Sequence, residues 1–230
     1  FLARVTGKVK GNVTLRKEQY RVSENAEESL KLARNFILGK VYNSRWILER
    51  AVRDYSLRLD AENIKAKSEI LYQSLKNIRT CETSGRLLGL EGEAASVYFS
   101  VFDDLILQQK EEFYFHGRNK RPPLDPVNAM LSFAYSLLAG MCGAALEAVG
   151  LDAYVGFYHT DRPGRISLAL DLMEEFRGVM ADRFVLTLIN KRIIKERNFI
   201  KKESGAVILD DAGRKIFLKL WQERKQEVIR

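Results

Sequence analysis

The chain has 230 residues, 46% of them hydrophobic and 30% charged, with 15 glycines and 4 prolines. That composition is globular, supports one main core and excludes collagen-like, low-complexity and wholly disordered classes. Two cysteines, Cys81 and Cys142, lack CxxC spacing; they exclude a disulfide scaffold or a Cys-built zinc module and fit a reducing, cytoplasmic compartment.

The net charge of +8 is unevenly placed. Residues 1–60 hold 13 Lys/Arg against 7 Asp/Glu and residues 183–230 hold 13 against 6, whereas residues 121–182 hold 4 against 8. Base at both ends and acid in the middle suits a protein with a cation at its centre and a polyanion around it, or simply a solvated basic surface. The longest apolar stretch, residues 130–149, is interrupted by Ser132, Ser136, Gly140, Gly143 and Glu147, so no membrane span is expected. The opening Phe1-Leu2-Ala3-Arg4 has no signal-peptide order and reads as the start of a fragment.

Residues 1–22 alternate Val, Leu and Thr with Arg and Lys around Gly7 and Gly11, the pattern of a short β-ribbon that belongs to a larger sheet. From Ser23 the period changes to nearly four. Ser23 or Asn25 can cap a helix over 23–55 whose buried stripe is Leu30, Ala33, Phe36, Ile37, Val41, Ile47, Leu48 and Val52. Further helical patterns cover 61–80 and 84–107. Residues 108–124 are a loop ending in Pro122-Pro123; Asp125 then caps a helix with Pro126 in its first turn, closed by Gly150. Ala139, Gly140, Gly143, Ala144 and Ala145 leave room for a close neighbour. A turn over HTDRPGR precedes a helix from about Ile166 that breaks near Asp182 and continues to Ile194. A basic connector, a strand over 206–209, a cap at Asp210 or Asp211 and a last amphipathic helix complete a mostly α chain.

His116 and His159 are the only histidines, so a metal would be held mainly by carboxylates, which points to Mg²⁺ or Mn²⁺. Asp171 and Glu174, at i,i+3, share one helix face twelve and fifteen residues after His159. Taken alone, such a pair is more often a solvated helix face, and such a histidine more often a satisfied turn histidine. In GLEGEAA, glycines flank Glu91 inside an apolar helix pattern, which points to close approach by a ligand or by a packed backbone. Glu91 and Glu93 point to different sides, which fits one facing inward and the other solvent, or equally an ordinary solvent charge in mid-helix. No P-loop, GxSxG, HExxH or dinucleotide fingerprint is present.

Three segments in order, LLGLEGEAASVYF, RPPLDPVNAMLSFAYSLL and VGFYHTDRPGRISLALDLMEEFR, closely resemble the integrase subunit of CRISPR adaptation, the first of the CRISPR-associated proteins, over residues 1–195. The spelling of the second and third is similar to type I relatives. The resemblance implies a helical catalytic domain, here residues 23–230, after a β-domain of which residues 1–22 are the last ribbon. It implies that Glu91, His159, Asp171 and Glu174 bind the catalytic metal, with Asn128 and Tyr135 as supporting groups. It also implies an endonuclease and integrase that joins spacer 3′-hydroxyls to repeat DNA by transesterification.

The partners it implies are double-stranded DNA, the small second CRISPR-associated adaptation protein and, in a form carrying the β-domain, a second copy of the chain. Arg118, Lys120, Arg121, Lys191 and Arg192 are then expected to grip the DNA backbone. Two other classes fit the charge pattern: a non-catalytic DNA-binding helical module, with metal-independent binding, and an assembly subunit without nuclease activity.

Overall fold

The computed structural model describes residues 12–229. Eight helices and one two-stranded sheet follow in the order α1 (Val13–Glu24), α2 (Ala26–Tyr55), α3 (Ala61–Arg79), α4 (Ser84–Phe99), α5 (Pro126–Ala148), α6 (Ser167–Phe176), α7 (Arg183–Asn190), β1 (Phe199–Lys201), β2 (Val207–Leu209) and α8 (Asp211–Ile229). The chain is mostly α, as its periodicities require.

Side-chain caps set the helix starts. Asn25 accepts from the backbone of Glu27 and Glu28, Asp60 from Asn63, Thr83 from Arg86 and Asp125 from Asn128. Each satisfies backbone donors that a helix start leaves open, a contribution of about 1 kcal/mol apiece. Asp210, one of the two expected caps for the last helix, accepts from Gly213 N at 2.6 Å.

The 30-residue α2 is the axis of the molecule. It packs on α3, α4 and α6, and Ile37 and Leu48 on its inner stripe are wholly buried. Burying a side chain of that size contributes roughly 1.5–3 kcal/mol. Gly39 sets the closest approach: a Cβ there would stand 2.9 Å from Glu175 Cβ on α6. By length and composition alone α5 could cross a membrane. Here it is a core helix, with Val127, Met130, Leu131, Ala134 and Leu138 buried. Of its small residues Gly143 lies against α6, at Ala169; Gly140, Ala144 and Ala145 are exposed.

Three expectations are corrected. The ribbon expected over residues 1–22 is not found where the chain is described, since Val13–Glu24 form α1; residues 1–11 lie outside the described residues. Val13 of this helix is exposed and Leu15 and Val22 are only half-buried. Gln19 is 4% exposed; its amide donates to Asp152 O at 2.8 Å and Val155 O at 2.9 Å and accepts from Asp152 N at 2.8 Å. With Arg16 on Gly150 O and Tyr20 on the Asp152 carboxylate, the docking residues recur at i, i+3 and i+4, a helical face made of polar groups.

The helix expected over 84–107 stops at Phe99, because the chain turns there to bury Phe102 and Ile106 and to seat Phe115 against Phe99 and Phe102. The basic connector contains β1, paired antiparallel with β2 through Phe199↔Leu209, Ile200↔Ile208 and Lys201↔Val207. Beyond α6 the chain widens into a π-helical turn, Arg177–Asp182, before α7.

Candidate active site

Glu91, His159, Asp171 and Glu174 come from three places in the chain and meet beside the middle of α2. Glu91 sits on the inner face of α4 with its side chain 18% exposed, and Glu93 faces solvent. No packed backbone explains the flanking glycines: a Cβ at Gly89 or Gly92 would meet nothing within 4 Å. That half of the expectation is wrong, and the glycines leave the outer surface of α4 open to approach.

Asp171 and Glu174 project from one face of α6, both buried. Asp171 is fully engaged. Its Oδ2 accepts from Phe157 N at 2.6 Å and Tyr158 N at 2.9 Å, and its Oδ1 accepts from His159 N at 2.9 Å and lies 2.7 Å from His159 Nδ1. The carboxylate therefore shapes the 157–159 turn and fixes the imidazole, leaving Nε2 as the ring's open nitrogen. Gly156 is required at the start of this turn, since a Cβ there would lie 2.9 Å from Asp171 Oδ2.

Glu174 Oε1 pairs with Arg177 Nη2 at 2.9 Å and lies 3.8 Å from His159 Nε2. Its Oε2 faces the Lys40 ammonium at 2.8 Å but accepts no well-angled hydrogen bond. Lys40 also contacts Glu91 Oε1. Burial alone would push the Glu174 carboxyl up, but Lys40 and then Arg177 outweigh it and hold the group below the usual carboxylate range. Tyr158 donates to Glu91 Oε2 at 3.4 Å, and burial together with Glu91 and Glu174 raises its phenol.

Among the described residues no three His, Cys, Asp or Glu side chains form a ready-made chelate; a lysine ammonium stands between two of the carboxylates instead. The donor set still fits a hard divalent cation. Two carboxylates converge on one positive charge, one oxygen of Glu174 lacks a hydrogen bond, and His159 Nε2 lies next to them.

Next to Glu91 opens a cavity of about 690 Å³ lined by Lys40, Arg118, Lys120 and Arg177, with Tyr135 and Asp182 on its wall. Lys120 is pushed down by partial burial and by the cations Arg177, Arg118 and Lys40 around it, with Glu174 offsetting part of that. The wall is held by buried polar groups. Asp182, brought inward at the end of the π-helical turn, accepts from Tyr135 Oη at 2.6 Å and Tyr98 Oη at 3.1 Å. Burial raises its carboxyl, and the two phenols, Arg177 and Arg118 offset part of that rise. The guanidinium carbons of Arg118 and Arg177 each stand 5.1 Å from the Tyr135 ring centre.

The five expected DNA-gripping residues separate. Arg118 is not a free surface arginine: it donates to Asn119 O at 2.9 Å and to the buried Asn128, whose amide in turn holds Gly117 O at 2.8 Å. It lines the cavity from within a fixed network, with Lys120 beside it; Lys120 and Arg121 are both exposed. Lys191 lies elsewhere, on a cleft with Arg50, Asp54 and Arg183. Arg192 is exposed and bonded to Gln108. Sequence reasoning missed Lys40, Arg177 and the role of Asp182. A signal for Lys40 existed: a lysine three residues after Ile37 and four before Ser44 sits at the edge of the buried stripe of α2.

The sequence profile of the family described as CRISPR associated protein Cas1 matches residues 1–223. The chain is 45% identical over 229 residues to the CRISPR-associated endonuclease Cas1 1 of Chlorobaculum tepidum, covering 100% of this chain and 67% of that protein. It is 49% identical over 231 residues to the CRISPR-associated endonuclease Cas1 2 of Rhodospirillum rubrum, covering 99% and 66%. It thus spans about two thirds of the length of these relatives. Among solved structures, a casposase bound to integration product matches with a TM-score of 0.83 at 28% identity, over 97% of this chain and 60% of that one. A Cas1 protein from Thermotoga maritima matches with a TM-score of 0.82 at 27% identity, over 99% and 69%. With a family match over nearly its whole length and relatives approaching half identity, the chain belongs to the CRISPR-associated protein Cas1 family.

Proposed function

We propose that this chain carries the catalytic centre of a metal-dependent DNA endonuclease and integrase that joins the 3′-hydroxyl of a spacer-precursor duplex to repeat DNA by transesterification. The observation that carries the reading is the convergence of Glu91, Glu174 and the open nitrogen of His159 beside a cavity lined by four cationic side chains. Acidic groups that can hold Mg²⁺ or Mn²⁺ and basic groups that can hold phosphate stand side by side, as phosphoryl transfer requires. The relatives named as endonucleases and the casposase bound to integration product support the same chemistry.

Glu91, Glu174 and His159 would hold the metal; Asp171, expected as a fourth ligand, has both oxygens engaged by the 157–159 turn and would instead orient the imidazole through Nδ1. When bound, the metal supplies Lewis-acid polarisation of the scissile phosphate. The attacking group is the DNA's own 3′-hydroxyl, so no Ser or Cys nucleophile is needed. Arg118, held in place by Asn128, and Lys120 are positioned to bind phosphate oxygens without reading sequence. Double-stranded DNA, the small second adaptation protein and a second copy of the chain are the partners of this reading. A strand-joining assay on labelled duplexes, titrated with Mg²⁺ and Mn²⁺, tests it: joined product that appears only with metal and disappears in Glu91→Gln is the expected result.

A further inference from the structure

We propose that Lys40 is the resident counter-cation of this site: its ammonium holds the place between Glu91 and Glu174 until a divalent cation takes it, and Lys40 is then released to a DNA phosphate in the adjoining cavity. The inference rests on the reading of Glu91, Glu174 and His159 as metal ligands. It adds that metal and DNA binding are coupled through one lysine.

Glu91 on α4 and Glu174 on α6 have side chains only 18% and 3% exposed. Two carboxylates this close and this dry repel unless a cation lies between them. Lys40, itself 13% exposed, reaches both from a third helix, touching Glu91 Oε1 and standing 2.8 Å from Glu174 Oε2. Gly39 makes this reach possible by admitting α6 against α2. Arg177 neutralises the other oxygen of Glu174 at 2.9 Å. Two negative charges are thus matched by two positive ones, Lys40 and Arg177.

A divalent cation adds two further positive charges in the same small, poorly solvated space. Oxygen ligands of Mg²⁺ lie about 2.0–2.1 Å from it, so an ammonium resting on the same oxygens would be forced against the metal. Arg177 binds Glu174 from the other side and can stay; Lys40 has to leave. Its flexible stem already lines the basic cavity with Arg118, Lys120 and Arg177. Moving further into that cavity is unfavourable while Arg118, Lys120 and Arg177 outnumber the lining acids Glu91 and Asp182, and favourable once a phosphate is there. DNA therefore draws Lys40 out of the carboxylates and opens the metal position, and by reciprocity the metal strengthens DNA binding.

Mn²⁺ binding to the whole chain, followed by the loss of the free-ion paramagnetic resonance signal, tests this. It is measured with and without an unreactive duplex, and Glu174→Gln with duplex supplies the background of ions held by DNA itself. For the unmodified chain the duplex should tighten Mn²⁺ about tenfold or more. Lys40→Met should bind Mn²⁺ about tenfold more tightly without DNA and gain little when duplex is added. Its melting temperature should be lowered without metal and restored by Mn²⁺. Lys40→Arg should bind Mn²⁺ weakly without DNA, as the unmodified chain does.

Equal Mn²⁺ affinity in the unmodified chain and Lys40→Met, with both binding well, overturns the role of Lys40 and leaves the metal site standing. No Mn²⁺ bound by either protein, with or without duplex, overturns the metal site and this inference together. If Lys40→Met does not fold even with Mn²⁺, the unmodified chain decides: an affinity unchanged by duplex overturns the coupling.

Discussion

A single oxygen of Asp171 touches His159 twice, accepting from its backbone N at 2.9 Å and standing 2.7 Å from its ring Nδ1. The other oxygen holds the two preceding backbone N–H groups, so the turn and the ring orientation are one construction. Asp171→Asn replaces an acceptor oxygen with an amide donor facing N–H groups. We expect a stability loss of about 1–3 kcal/mol from the unmatched buried donors, and strand joining reduced about 10–100-fold at limiting metal with partial recovery at excess Mn²⁺. Urea unfolding and a metal titration of joining check this. Unchanged joining at low metal would show that the ring needs no such support.

Much of the frame was legible because caps are local. Asn25, Asp60, Thr83 and Asp125 each sit next to the helix they start, and the stripe of α2 follows its 3.6-residue period. The grouping of Glu91, His159, Asp171 and Glu174 came from motif resemblance, and their spacing along the chain did not determine it. What stayed hidden depends on partners distant in sequence. Gln19 makes α1 a docked helix only because residues 152–155 offer it carbonyls. Arg118 reads as a surface cation until Asn128 and Tyr135 are seen around it. Lys40 looks like an ordinary edge lysine until α4 and α6 bring their carboxylates to it.

Glu174 and Asp182 are buried acids whose shifts have opposite signs, so their pH effects on stability run in opposite directions. Glu174 is held low by Lys40 and Arg177 against its burial. It stabilises above its unfolded pKa of about 4.3, and that stabilisation is lost as pH falls through the lower folded value. Asp182 is raised by burial, so its cost is absent at low pH and grows as pH rises through about 3.9, its unfolded pKa. Between pH 3 and 7 the unmodified chain should gain stability relative to Glu174→Gln and lose it relative to Asp182→Asn. Urea midpoints across that range decide, and parallel slopes would contradict the assignment.

Arg118 and Arg121 should separate in kind. Arg118→Ala removes the partner of Asn128 and Tyr135 and should destabilise the fold by about 1–3 kcal/mol as well as weaken DNA binding. Arg121→Ala, at an exposed position, should stay within about 0.5 kcal/mol in stability. Thermal melts of the two variants against the parent are the check; equal melting temperatures would contradict the network around Asn128.

DNA affinity should fall steeply with salt, because each neutralised duplex phosphate contributes a slope of about −0.9 in log K against log salt. A footprint of roughly six phosphates gives a slope near −5. Fluorescence anisotropy on a labelled duplex measures it. A flat profile would remove the basic cavity from the binding surface.

The central claim is that Glu91 and Glu174 serve a metal and the surrounding cations serve DNA. Strand joining and duplex affinity, measured side by side in Mn²⁺ for the unmodified chain and for Glu91→Gln and Glu174→Gln, test it most directly. The account predicts joining reduced about 100-fold or more in each variant, with duplex affinity falling by no more than the coupling to the metal, about tenfold. Joining at the parental rate in either variant, or joining lost only in proportion to lost DNA affinity, would contradict it.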